Sequence, residues 1–278
     1  MNLIVQGHDL PTPSLKQLAK LTGAAAIEAV SPTAFRLRAA DPGQRAEVAA
    51  FCEENQIDCG WVPAERRIGD FGLLVMDMDS TLITIECIDE IADLQGLKPQ
   101  VSAITEAAMR GEIDFAESLR RRVSLLEGLD QSALQRVYDE RLQLSPGAEA
   151  LLAAARAAGI KTLLVSGGFT FFTERLQPRL GLDYTAANTL EVAGGKLTGR
   201  VLGDIVDAQG KADSLNQVRT QLGLRREHVI AMGDGANDLK MMAEAGISIA
   251  YRAKPVVRAQ ASYALNRVGL DGAIPLLG

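Results

Sequence analysis

From residue 73 onward, short apolar runs with almost no polar alternation end abruptly in acidic, serine or glycine residues. Residues 73–76 run into Asp77, residues 162–165 into Ser166-Gly167-Gly168, and residues 229–232 into Gly233-Asp234-Gly235, while residues 247–250 follow Gly246. A run that is apolar at every position fits a strand covered on both faces, as in a parallel sheet with helices above and below. Helical periodicity between the runs gives an alternating order and predicts a doubly wound, mainly parallel α/β sheet. Ligands gather beyond the carboxyl ends of such strands, so the polar residues that end the runs are expected to face one crevice. Asp77 and Asp79, one residue apart, would open into it.

Residues 1–70 follow a different order: strand 3–6, helix 14–21, a strand, strand 34–37, helix 44–55 and strand 57–62. This βαββαβ pattern suits a small α+β ferredoxin-like domain and, in layout alone, resembles amino-acid-binding ACT modules. Glu65-Arg66-Arg67-Ile68-Gly69-Asp70 is polar punctuation, expected to link that domain to a second one over residues 71–278. Residues near 82–145 lack a strong strand run and look helical, an insertion placed where a cap over the crevice would sit. Residues 188–192 and 197–202 flank Ala193-Gly194-Gly195-Lys196, the pattern of a β-hairpin with a glycine turn.

Composition removes several classes of function. A net charge of -6 argues against general nucleic-acid binding, which needs basic surface, so any anion must be held locally. No uncharged apolar run nears the ~20 residues of a membrane span, and the amino-terminal stretch lacks a signal-peptide pattern, so a cytoplasmic protein is expected. Cys52, Cys59 and Cys87 match neither a disulfide framework nor a zinc knuckle and are expected as reduced core thiols. Neither His8 nor His228 lies in a motif with a nucleophile, which disfavours histidine phosphatases and Ser/His/Asp hydrolases. The twelfth residue counted from Asp77 is Ile88, where a calcium loop requires Glu. Gly194-Gly195-Lys196-Leu197 lacks the earlier glycine and the following Ser/Thr of a nucleotide-binding loop.

Asp77 reads as a nucleophile. A phosphate monoester carries a charge of about −2, so a carboxylate attacks its phosphorus only where cations offset the repulsion. Mg²⁺ prefers oxygen ligands and bridges carboxylates to phosphate oxygens. Asp77 and Asp234 are the expected side-chain ligands, with the Asp79 backbone carbonyl as a third and Asp238, one helical turn beyond Asp234, in support. The Asp79 carboxyl is placed to protonate the leaving oxygen and then to activate water. Ser166-Gly167-Gly168 fits either a plain βα turn or an anion site at a helix start. Lys211 opens the helical stretch 212–222 at the positive end of its dipole, which suits either a solvated lysine or a phosphate site. In Gly233-Asp234-Gly235-Ala236-Asn237-Asp238, a capped turn accounts for Gly235 but not for two spaced aspartates behind an apolar strand, and metal binding is favoured.

Taken in order, DxDxT from Asp77, the strand-end Ser166, Lys211 and GDxxxD from Gly233 resemble the haloacid dehalogenase superfamily of aspartate-nucleophile phosphotransferases, over roughly residues 72–278. P-type ATPases of that superfamily carry Thr where Asp79 stands, so a hydrolase or phosphotransferase is implied. Met78, the stretch Thr81-Leu82-Ile83-Thr84-Ile85-Glu86-Cys87-Ile88-Asp89-Glu90 and the stretch Met109-Arg110-Gly111-Glu112-Ile113-Asp114-Phe115 are similar to the phosphoserine phosphatase family. That resemblance implies Mg²⁺-dependent hydrolysis of O-phospho-L-serine through an aspartyl-phosphate, the last step of serine biosynthesis. It also implies contacts from Glu86 to the substrate amino group, from Arg122 to its carboxylate, and from Ser166, Gly167 and Lys211 to phosphate, with Asn237 at another polar position.

Periodicity supports Arg122 separately. Asp114 and Glu117 have capping-box spacing, and Phe115, Leu119, Arg122 and Leu126 share one helical face, leaving Arg120 and Arg121 to solvent. A buried ion pair with Asp or Glu is the alternative for Arg122. Two other functions compete: a related phosphatase or phosphotransferase acting on another small phosphomonoester such as phosphohomoserine, and a serine-sensing regulatory protein. A homodimer through the amino-terminal domain stays open.

Overall fold

A computed structural model describes residues 1–278. The amino-terminal part comprises β1 (Asn2–Gln6), α1 (Thr12–Thr22), β2 (Ala26–Ser31), β3 (Ala34–Arg38), α2 (Arg45–Glu54) and β4 (Asp58–Val62). Its strands form an antiparallel sheet in the order β2-β3-β1-β4, as the βαββαβ pattern predicts. Alternation along β1 divides its side chains between two environments. Leu3 and Val5 pack with Leu15 and Leu18 of α1, whereas Ile4 joins the core of the rest of the chain.

The second part opens with β5 (Leu73–Met76), followed by four helices: α3 (Cys87–Asp93), α4 (Lys98–Met109), α5 (Phe115–Ser124) and α6 (Ser132–Glu140). Then come α7 (Ala148–Ala157), β6 (Lys161–Phe169), α8 (Thr170–Leu180), β7 (Tyr184–Ala193), β8 (Lys196–Leu202) and α9 (Ala208–Gln221). The chain ends with β9 (Val229–Gly233), α10 (Leu239–Ala243), β10 (Ile247–Tyr251), α11 (Pro255–Arg258), β11 (Tyr263–Leu265) and α12 (Ile274–Leu277). Strand order is β11-β10-β9-β5-β6-β7-β8, parallel throughout except for the β7–β8 hairpin.

Burial explains the uninterrupted apolar runs. Leu74 and Met76 face one core with α7, α8 and the inserted helices, while Leu73 and Val75 face another with α9 and α10, and all four are at most 1% exposed. Each such side chain contributes roughly 1.5–3 kcal/mol on burial, so a polar residue at any of these positions would be costly. From β5 the chain moves outward through β6 and β7, then returns to lay β9 on the other side of β5. That reversal opens a crevice at the carboxyl ends of β5, β6 and β9.

Helices α3–α6 form a cap with two attachments. At its neck Ile83 pairs with Leu144, the Thr84 amide donates to the Gln143 carbonyl (3.0 Å), and the Ser145 amide donates to the Leu82 carbonyl (2.9 Å). At its far side the hairpin holds it: the Gly128 amide donates to Leu197 and the Leu197 amide to Leu129, both at 2.8 Å. The hairpin turn needs its glycines, because Gly194 and Gly195 take φ of +58° and +78°.

The structure changes four sequence expectations. β7 begins at Tyr184 rather than near Asn188, because its first residues pair in parallel with β6. β11 is absent from the sequence reading, since three residues give no periodic signal. Ser166-Gly167-Gly168 is no turn but a bulge within β6: Val165 lies opposite Ala186 and Phe169 opposite Asn188, so three residues face the single Ala187. Asp114 caps α5 by accepting from the Glu117 amide (2.7 Å), but Glu117 pairs with Arg121 instead of completing the box, and Leu126 lies beyond the helix end.

The two parts are joined by buried polar contacts as well as apolar ones. Asp58, 5% exposed, accepts from the consecutive amides of Asn266, Arg267 and Val268, and Gln6 donates to the Gly272 carbonyl (2.9 Å). Gly60 must be glycine there, since a Cβ would lie 2.6 Å from Leu276 and 2.8 Å from Tyr263. Replacing Asp58 with Ala leaves three enclosed amides without an acceptor and should cost about 2–4 kcal/mol. Urea unfolding measures it, and a loss below ~0.5 kcal/mol would show that the junction does not rest on this carboxylate.

Candidate active site

The crevice is a cavity of about 460 Å³ lined from the strand ends by Asp77, Asp79, Gly167, Gly168 and Asp234, and from the cap by Glu86, Asp89, Phe115 and Arg122. Lys211 and Asn237 also line it. Adjacent parallel strands β5 and β9 bring Asp77 and Asp234 together, although 157 residues separate them in sequence.

One ammonium organises the acidic end. Lys211 Nζ lies 2.7 Å from Asp77 Oδ1 and 2.7 Å from Asp238 Oδ1, and Lys211 is 1% exposed. The solvated alternative for this lysine is therefore wrong: α9 begins at Ala208, earlier than expected, and buries Lys211 in its first turn. Asp238 has no exposed surface and spends its other oxygen on the amides of Asp234 (3.1 Å) and Gly235 (3.0 Å). It holds the loop that presents Asp234. Asp234 Oδ1 accepts from the Thr81 hydroxyl (3.2 Å), and Asp77 Oδ1 also accepts from the Met78 amide (2.8 Å).

A single ammonium cannot neutralise this group. Carboxylate oxygens of Asp77, Asp234 and Asp238 all lie within 4.8 Å of one another. Burial, reinforced by Asp238, pushes the Asp77 carboxyl well above the usual range against the pull of Lys211. Burial and Asp238 likewise raise Asp234 to about 6, with the Thr81 hydroxyl opposing. Lys211 is drawn down by its burial, yet Asp238 and Asp77 outweigh that and hold it protonated. An all-oxygen, under-neutralised cluster suits a hard divalent cation. Because every Asp238 oxygen already has a donor, Asp77 and Asp234 are the side chains free to ligate.

Asp79 turns elsewhere. Its Oδ1 accepts from the Cys87 amide at the start of α3 (2.8 Å) and its Oδ2 from the Ser166 hydroxyl (3.0 Å). Ser166 is completely buried and is not on the cavity wall, so it touches Asp79 while Gly167 and Gly168 face the opening. Both glycines are required by close approach. A Cβ on Gly167 would lie 2.9 Å from the Phe115 ring of the cap, and one on Gly168 would lie 2.7 Å from Asp79 Oδ2. Behind Asp77 the chain makes a wide turn over residues 78–82 in which Ser80 takes φ +56°, a conformation costing about 1–2 kcal/mol for a residue with a Cβ. The Ser80 hydroxyl donates to Glu86 (2.6 Å), so that turn also fixes the cap residue.

At the cap end, Glu86 and Arg122 flank the same cavity. Glu86 is exposed only in the sense that it faces the open cleft; the protein around its other sides, then the charge of Asp79, push its carboxyl to about 7. Arg122 has one hydrogen bond, from Nε to the Ser118 carbonyl (3.4 Å), and no carboxylate within ion-pair distance. Arg122 therefore forms no buried ion pair. Burial lowers the pKa of this guanidinium, with Asp89 and Glu86 opposing, so a bound anion would be strongly favoured there.

Thr81, the threonine of the DxDxT motif, contacts Asp234, whereas Asp89 and Lys254 line the site without a signal of their own, because a helical Asp and a loop Lys are ordinary in sequence.

A family model described as haloacid dehalogenase-like hydrolase matches residues 74–243, and one described as a domain of unknown function matches residues 3–48. A curated phosphoserine phosphatase of Polaromonas sp. strain JS666 is 56% identical over 216 residues, covering 76% of this chain and 92% of the relative. The crystal structure of a probable phosphoserine phosphatase from Vibrio cholerae, in unliganded form, aligns with a TM-score of 0.87 at 41% identity over 99% of this chain and 86% of that one. A structure described as a phospho-aspartyl intermediate analogue of phosphoserine phosphatase aligns with a TM-score of 0.70 at 36% identity, over 75% of this chain and 99% of that one.

The charge imbalance predicts cation-dependent stability. Carboxyls raised in the folded state bind extra protons, so without a cation stability falls as pH rises from the ordinary carboxyl range through about 6, the raised value for Asp234. Mg²⁺ at 100 times its Kd should add about 2.7 kcal/mol. Thermal melting should show a larger Mg²⁺ effect at pH 8 than at pH 5, and almost none in Asp234→Asn; an undiminished effect in that variant would move the cation elsewhere.

Proposed function

The chain belongs to the haloacid dehalogenase-like hydrolases, and from that premise we propose that it is a phosphoserine phosphatase, converting O-phospho-L-serine to L-serine and phosphate at the end of serine biosynthesis. One observation carries the substrate: a half-buried, unpaired Arg122 and a carboxylate, Glu86, flank the cavity whose floor is the Asp77–Lys211–Asp234 cluster. Phosphoserine has the complementary charges, an ammonium for Glu86, a carboxylate for a two-pronged Arg122 contact, and a phosphoryl group for the floor.

Mg²⁺, held by Asp77, Asp234 and the Asp79 carbonyl, would offset phosphoryl charge and so allow an anionic nucleophile to approach. Lys211 and the Gly167 backbone hold the phosphoryl group, and Asn237 borders it. The Met78 amide and Lys211 fix the orientation of Asp77, whose carboxylate attacks phosphorus. As the bond from phosphorus to the serine oxygen breaks, Asp79 gives that oxygen a proton. The same carboxylate then takes a proton from water, which attacks the phosphorus of the aspartyl-phosphate, releases phosphate and restores Asp77. Ser166 and the Cys87 amide hold Asp79 in position for both transfers. Phe115 against Gly167 closes the cap over the ester and excludes bulk water.

We take residues 1–70 as an ACT-like module and residues 71–278 as the phosphatase domain with its cap near 82–145. A cytoplasmic location is part of this proposal, in keeping with amino-acid biosynthesis. No helix is long and apolar enough to cross a membrane. A homodimer would use the outer edge of β2, which pairs only with β3 and leaves Ile27 and Val30 about 40% exposed (40% and 39%). Sedimentation of wild type beside Ile27→Lys tests it, and equal mass at the monomer value for both would refute it.

Phosphate release from L-phosphoserine, phosphohomoserine and p-nitrophenyl phosphate, with and without Mg²⁺ and beside Asp77→Asn, is the deciding measurement. L-phosphoserine should be the best substrate, and metal removal or Asp77→Asn should abolish turnover. Arg122→Ala should reduce kcat/KM by about 10²–10³ for phosphoserine but under ~10-fold for p-nitrophenyl phosphate, since only the former loses a charged contact. Equal losses would remove the specificity role. Because an ammonium needs Glu86 ionised and its carboxyl titrates near 7, KM for phosphoserine should fall from pH 6 to pH 8. The phosphate titration near 6 is common to both esters, so the difference between them should vanish in Glu86→Gln.

A further inference from the structure

We infer that Asn188 is a positioning residue for phosphate binding, tying the bulge that carries Gly167 to the segment that delivers Lys211. It lies outside the cavity, is 1% exposed, and uses both ends of its amide: Nδ2 donates to the Gly167 carbonyl (2.8 Å) and Oδ1 accepts from the Val206 amide (2.8 Å). The inference rests on the reading of this pocket as a phosphoserine site.

The bulge creates the need. β6 spends Ser166, Gly167 and Gly168 where β7 spends only Ala187, so backbone groups here leave the ladder and must find other partners. Ser166 Oγ takes the Gly168 amide (2.8 Å), and Asn188, opposite Phe169 where pairing resumes, takes the Gly167 carbonyl. Its other end holds Val206, the residue before Asp207. Asp207 caps α9 by accepting from the Gln209 and Gly210 amides, and its own carbonyl accepts from the Lys211 amide (2.9 Å). One side chain thereby sets the spacing between two phosphate contacts, one on strand β6 and the other on helix α9. Displacements near 1 Å at such contacts cost rate out of proportion to stability.

Asn188→Asp retains the acceptor for Val206 but sets a carboxylate against the Gly167 carbonyl, and Asn188→Ser shortens the link in an uncharged form. Each is measured for kcat/KM on L-phosphoserine, for competition by inorganic phosphate and by L-serine, and for thermal melting. Both variants should lose about 10–100-fold in kcat/KM and weaken phosphate competition by a similar factor, with L-serine competition within about two-fold of wild type. Parallel loss of phosphate and serine competition would make Asn188 merely structural, as would wild-type turnover in either variant. If one variant does not fold, the other decides; if neither folds, a structural role is what remains. A wild type that turns over another ester in preference to phosphoserine would sink the substrate reading, while phosphate competition alone still tests Asn188.

Discussion

Lys211, enclosed between Asp77 and Asp238 at 2.7 Å from each, is the interaction on which the site depends. Burying a charge costs several kcal/mol unless partners replace water, and removing one member of such a group typically costs about 3–5 kcal/mol. The fold assembles the partners from β5, α9 and the loop after β9, so the doubly wound sheet is what makes the ammonium tolerable. The reverse also holds. Without Lys211, Asp77 and Asp238 would face each other inside the protein with no compensating charge. The arrangement stops short of neutrality, since Asp234 is left with a hydroxyl and a raised pKa. An incomplete charge balance of this kind is stable enough to fold and still favours a cation and the anion that follows it.

Much of this was readable in the sequence, and the reason differs from residue to residue. Residues 73–76 announced a parallel strand because both faces of β5 are buried, which suppresses polar alternation altogether. Arg122 stood out from Arg120 and Arg121 because only it falls on the apolar face of α5. Asp77, Asp234 and Asp238 were legible from spacing behind apolar runs. What could not be read depends on register between strands distant in sequence. The bulge at Ser166 exists only relative to β7, and the task of Asn188 exists only because of that bulge. Lys211 was ambiguous for a related reason: a lysine in the first turn of a helix is buried or solvated according to what packs against it, and Asp238 lies 27 residues away.

Glycine has a different purpose in the hairpin turn and in the crevice. In the hairpin turn it supplies positive φ, but at residues 167 and 168 the backbone is ordinary and it is the missing Cβ that matters. Phe115 descends from the cap onto Gly167, and Asp79 presses on Gly168, so floor and lid meet without an intervening side chain. The same closeness leaves backbone rather than side chain at this part of the cavity wall, where an N–H is a rigid donor. Ser166 then fits its observed place better than its expected one. Its hydroxyl is buried because it spans Asp79 and the Gly168 amide, linking that carboxylate to the bulge.

Attachment of the cap at two places limits how it can open. The neck at Ile83 and Leu144 is short and follows closely on Asp77 and Asp79, whereas the hairpin grips the α5–α6 connection through paired backbone bonds at Gly128, Leu129 and Leu197. A lid hinged only at its neck could swing as one body, but this one must either break the hairpin bonds or carry β8 with it. Within the sheet β8 is an edge strand bonded to β7 alone, so it can follow the cap. Opening would then draw Phe115 off Gly167 and flex the hairpin at β7, on the strand that also bears Asn188. On the other side the neck is braced: the Leu270 amide donates to the Pro146 carbonyl (2.7 Å), and the segment just before Leu270 is the one gripped by Asp58. The amino-terminal sheet thus braces the base of the cap and leaves compliance to the hairpin.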